Sequence, residues 1–145
     1  MNRARLLAEL AAGTADPAAA AWLAEGLRCW LRHAEPGGQG PSLEACLGVR
    51  SAADARRLIR DHWLREAAAT LPEAGSWTRA RTLHMHLGAA RRLAARRALD
   101  PAATAAPLVD LLARAVESRC PLPTTVQALH NVLGGNARRA EQSAA

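Results

Sequence analysis

The stretch "SWTRARTLHMHLGAARRLAARRAL", Ser76 to Leu99, holds two histidines two residues apart and six arginines with no carboxylate among them. His84-Met85-His86 has the look of a metal clip. On a helix, however, residues two apart point to nearly opposite sides, so the two rings cannot grip one ion. His86 borders the apolar stripe and reads as a packed histidine. Cys29 with His33, and His62 with Glu66, do have one-turn spacing, and Cys46 could join them in a zinc set. Their order fits no finger pattern, so neither metal nor cofactor is expected.

Nucleophile chemistry has little support in the chain. Ser42, Ser51 and Ser76 sit where helices should start, and no G-x-S-x-G surrounds any of them. The glycines of "PGGQGP" lack the lysine and the long helix that a phosphate-binding loop needs. Carboxylates are dispersed. The reading is therefore non-enzymatic.

The arginines remain. All 19 basic residues are Arg, against 13 acids, giving a net charge of +6. Residues 1–75 balance, with 9 Arg and 9 acids, whereas residues 76–145 carry 10 Arg and 4 acids. At about 100° per residue, Leu83, Leu87, Ala90 and Ala94 form the buried stripe of the 76–99 helix. Arg81, Arg92 and Arg96 then share another side with Met85, while Arg79 and Arg97 flank the stripe. Guanidinium groups hold phosphate two-pronged and stay charged. Such a face suits nucleic acid, with DNA ahead of RNA, and contact would be to backbone because no Asn or Gln is there to read bases. Glu25, Glu44, Asp110 and Glu117 are the acids that would silence it by pairing across the fold.

A second basic patch, Arg56, Arg57 and Arg60, lies on the helix of "SLEACLGVRSAADARRLIRDHWLREA". With Gly48-Val49 as the turn, residues 42–67 resemble a degenerate helix-turn-helix, the alternative being two core helices joined by a tight turn, with the arginines on a solvated face. Glu44 stands where a small residue belongs, and Asp54, Asp61 and Glu66 oppose the arginines.

The elements that must position these residues are all helical. Ala and Leu dominate the apolar half of the composition, Phe and Tyr are absent, and only 4 Trp occur. Breakers and caps divide the chain into a compact all-α bundle of six to seven helices. Asn2 to Gly13 is the first, and Asp16-Pro17 opens a second to Ala34. Ser42 opens a third to Gly48. Ser51 with Asp54 resembles a capping box for a fourth, to Leu71. Ser76 is the expected cap of the fifth, and Asp100-Pro101 repeats the cap-then-proline signal. Pro107 to Arg119 is the sixth, stopped by "CPLP", and a last helix runs from Thr124 to Gly134. One domain, 1–135, is expected, with a loose tail at 136–145.

Trp30 reads as a core anchor with Leu23, Leu27 and Leu31, and Trp63 as another; Trp22 and Trp77 read as partly exposed. The odd, widely spaced Cys29, Cys46 and Cys120 imply reduced thiols in a cytoplasmic protein with no membrane partner. The main expectation is a small regulatory nucleic-acid-binding protein. Its rival is an adaptor or homodimeric module meeting an acidic or apolar partner through the first helix (Leu6, Leu7, Leu10) or the sixth.

Overall fold

A computed structural model describes residues 2–14, 16–34, 37–72 and 75–134. The fold is all-α, and the described residues include no strand. Six helices are α1 (Arg3–Ala12), α2 (Pro17–His33), α3 (Leu43–Cys46), α4 (Ala52–Ala69), α5 (Ser76–Leu99) and α6 (Pro107–Glu117). Residues 126–134 form a seventh, α7. The expected tail at 136–145 lies outside the described residues. The chain divides into two compact units, Met1–Ile59 and Arg60–Ala145, with the boundary inside α4.

Local chemistry sets most helix ends. Side chains of Asn2, Asp16 and Ser42 accept from backbone amides three residues on, and Pro17 and Pro107 stand at first-turn positions where no amide bond is lost. Ser51 Oγ accepts from the Asp54 amide at 3.1 Å, and Asp54 Oδ2 reaches back to the Arg50 amide at 3.5 Å, close to a reciprocal capping box. Gly13 and Gly48 take left-handed backbone, φ 71° and 70°, where α1 and α3 end.

Two expected starts differ. Gly75, not Ser76, is the N-cap of α5, and it makes no side-chain bond; the Ser76 hydroxyl lies 3.1 Å from His130 Nδ1 instead. Asp100-Pro101 opens no helix. Asp100 caps the C-terminus of α5, and its carboxylate accepts from the Ala102 amide in a turn.

In the first unit Leu6, Ala8, Ala19 and Val49 are buried. Gly26 of α2 is buried against Leu47, and an added Cβ there would overlap that side chain, so the glycine leaves the space in which Leu47 seats. The expected core of α2 is only partly realised. Trp30 and Leu27 are each 38% exposed and Leu31 64%, although α1 and α3 both pack against α2. Leu6 is buried rather than available as an interface.

The second unit has a cleaner interior. Leu64, Leu83, Leu112 and Leu129 are fully buried, one each from α4, α5, α6 and α7. Each such leucine contributes about 2 kcal/mol by leaving water. Ala67, Ala80, Ala90, Ala113 and Ala115 have no exposed surface, so the helices approach through alanines. Trp63 is buried as expected, edge-on to His62 at 4.9 Å, with the Arg114 guanidinium 4.9 Å from its ring. α6 packs along α5 through Leu93, Ala103 and Ala113. That packing occupies the buried side of α6, which was the other expected partner-binding surface.

Candidate nucleic-acid interface

α5 is a 24-residue helix whose buried side is Ala80, Leu83, Leu87, Ala90 and Leu93. The stripe expected from periodicity is thus the one observed, apart from Ala94, which is half-buried. Its opposite side carries Arg81, Arg92 and Arg96, all exposed. None of the three meets a carboxylate within ion-pair distance among the described residues. From Arg81 to Arg96 the helix advances about 22 Å. Met85, 69% exposed, lies between them.

Gly88 sits near the middle of this side. Glycine inside a helix is worth about 1 kcal/mol less than alanine, and packing does not require it here. A Cβ at Gly88 would meet only the Arg92 Nη1, at 3.6 Å. The gap it leaves exposes α5 backbone to close approach between the arginines.

Three of the four acids that threatened this face, Asp110, Glu117 and Glu25, are engaged elsewhere. Asp110 and Glu117 both take Arg97, Glu117 at 3.2 Å, and Arg97 Nε donates to the Ala103 carbonyl at 3.1 Å. Asp110 also faces Arg114 at 3.6 Å. Glu25 pairs with Arg28 and Arg32 on α2. Arg97 is therefore a structural clamp between α5 and α6, while its neighbour Arg96 is left to solvent. Arg79 is half-buried, and its Nε has no hydrogen-bond partner among the described residues.

The α4 patch is not brought together in the same way. Arg56 is exposed. Arg57 pairs with Asp54 at 2.6 Å, and the Arg57 guanidinium, aided by the Arg50 amide, holds the Asp54 carboxyl below its ordinary range. Arg60 turns inward, its side chain 14% exposed. It pairs with Asp61 at 2.6 Å and donates to the Pro121 carbonyl at 2.7 Å and to Cys120 Sγ at 3.4 Å. Its reach across the fold to residue 121 is invisible in a helical wheel. The first limb of the expected helix-turn-helix, α3, is a single turn of four residues.

The histidines of "HMH" do diverge. His84 Nε2 lies 3.2 Å from the Thr124 carbonyl, and His86 Nδ1 lies 2.8 Å from that of Thr82. Among the described residues no three His, Cys, Asp or Glu side chains stand close enough to hold a metal. Cys29 and Cys46 do meet. Their hydrogen bond, with burial, pushes the Cys46 thiol up. Sequence reasoning passed over His130, which contacts Ser76 and stacks edge-on to Trp77 at 5.5 Å. Trp77 itself is exposed, as expected.

No helix among the described residues is long and apolar enough to cross a membrane. No protein-family model matches this chain, and no curated protein or solved structure matches it either.

Proposed function

We propose that this chain binds the phosphate backbone of nucleic acid, preferentially duplex DNA, through the outer face of α5. It would act in a regulatory, non-catalytic role without a cofactor. One observation carries the reading: Arg81, Arg92 and Arg96 are exposed on one helix side, and the nearest candidate acids are committed to Arg97. A guanidinium without an internal partner is available to displace counterions from a polyanion. Gly88 opens the centre of the face, and Met85 offers an apolar surface for sugar.

The test is a fluorescence titration on a labelled duplex across salt concentrations. Three neutralised phosphates give a slope near −2.7 in log K against log salt, which is about a 40-fold loss between about 50 and 200 mM. Arg81, Arg92 and Arg96 replaced together by Ala should abolish most of that slope. Binding that survives the triple replacement unchanged refutes the site, and no binding at low salt refutes the function.

The homodimeric or adaptor reading is favoured by a different observation. Leu27, Trp30 and Leu31 form an exposed apolar stripe at one-turn spacing on α2. A second copy of the chain is the occupant this reading names.

A further inference from the structure

The second unit also contains a groove of about 470 Å³ that the α5 outer face does not include. Its walls are Arg91 of α5, Val116 near the end of α6, and the connection from Arg119 through Cys120 and Leu122 to Thr124. That volume falls in the range of small-molecule sites. Among the described residues no carboxylate lines it. Arg91 and Arg119 are both exposed and have no ion-pair partner among the described residues. Glu117, the nearest acid in sequence to Arg119, is held by Arg97.

The groove wall is fastened at two points. Arg60 donates to the Pro121 carbonyl at 2.7 Å, and His84 binds the Thr124 carbonyl at 3.2 Å. His84 and Arg91 are seven residues apart, two turns along one side of α5, so the anchored wall runs beside Arg91. A fixed wall limits the ordering that a ligand must impose on binding.

Arg119 adds an independent mark. It is the one non-glycine described residue with positive φ, at 59°. It follows the C-cap Ser118 of α6, a place where helices ordinarily put glycine. A left-handed arginine is strained relative to glycine, and strain of this kind concentrates at binding sites. Here the left-handed residue is an arginine that lines the groove.

From this arrangement we infer that the groove binds a small amphiphilic anion: a phosphate or carboxylate held by Arg91 and Arg119, with an apolar body against Val116 and Leu122. Two guanidinium groups supply forked hydrogen bonds to either oxyanion. The site is independent of the nucleic-acid reading.

Calorimetric titration of the full chain with phenyl phosphate, benzoate, inorganic phosphate and benzyl alcohol tests it. Phenyl phosphate or benzoate should bind one to one, more tightly than inorganic phosphate or the neutral alcohol, and the tighter of the two identifies the headgroup. Arg91→Ala and Arg119→Gly should each weaken binding about tenfold or more. Arg119→Gly should also leave the melting temperature unchanged or raised, which separates lost binding from lost folding. Joint replacement of Arg81, Arg92 and Arg96 by Ala should leave binding as it was. Absence of saturable binding by both amphiphiles overturns the proposal, as does binding indifferent to Arg91→Ala and Arg119→Gly. Equal affinity for inorganic phosphate overturns the role of the apolar wall.

Discussion

Arg96 and Arg97 are adjacent in the chain, yet truncating them should have opposite consequences. Arg97→Ala removes a donor to the Ala103 carbonyl at 3.1 Å, an ion pair to Asp110 and another to Glu117 at 3.2 Å. The first bond contributes about 1 kcal/mol. The Asp110 pair is only partly solvated, with side chains 15% and 21% exposed. Its loss falls between the roughly 0–1 kcal/mol of a surface pair and the 3–5 of a buried one, or about 1.5. Glu117 is 40% exposed, so screening leaves its pair no more than about 0.5 kcal/mol. The total is near 3 kcal/mol. Arg96→Ala, at an exposed position without an ion-pair partner, should fall within about 0.5 kcal/mol of the parent. Urea titration followed by circular dichroism reads both. The Arg97→Ala midpoint should fall by on the order of 1 M with an unchanged slope, while Arg96→Ala stays in place. DNA affinity should invert that order, with Arg96→Ala the weaker binder. A double-mutant cycle with Asp110→Ala should show coupling of about 1 kcal/mol or more. Equal midpoints for the two single variants, or coupling near zero, would refute the clamp.

Two further outcomes follow from the first unit. Because the Arg57 guanidinium depresses the Asp54 carboxyl, the stabilisation it gives is complete above the unfolded value near pH 3.9 and disappears as pH falls through the lower folded value. Thermal melts of the parent and Asp54→Asn should therefore differ at about pH 6 and converge toward about pH 2; a constant gap would contradict the assignment. If the α2 stripe joins two copies, light scattering should report a dimer that persists in high salt and that Leu31→Asp converts to monomer, whereas a monomeric parent removes that reading.

What the sequence disclosed was largely local. Asp16-Pro17, Ser42, Gly48 and the Ser51–Asp54 box marked helix ends because each acts within a few residues of itself. The buried side of α5 was legible for the same reason: a 3.6-residue period records which side is apolar. Neighbours distant in sequence were not recorded. Ser76 resembled a cap but reaches His130, 54 residues onward. Arg60 shared a side with Arg56 and Arg57 but fastens Pro121, 61 residues away. The apolar side of α2 was identified, yet nothing local announced that Trp30 and Leu31 would lack cover. The candidate acids included Asp110 and Glu117, but their choice of Arg97 over Arg96 depends on where α6 crosses α5. The groove gave one faint sign, an arginine rather than glycine just beyond α6.

The positive charge of the α5 face comes wholly from guanidinium groups, in a chain without lysine. Enzymes that silence basic surfaces by acylating amines would find no side-chain acceptor on it. If α5 holds a polyanion as proposed, release would come from outside the face, through a competing ligand or a change in the surrounding electrolyte.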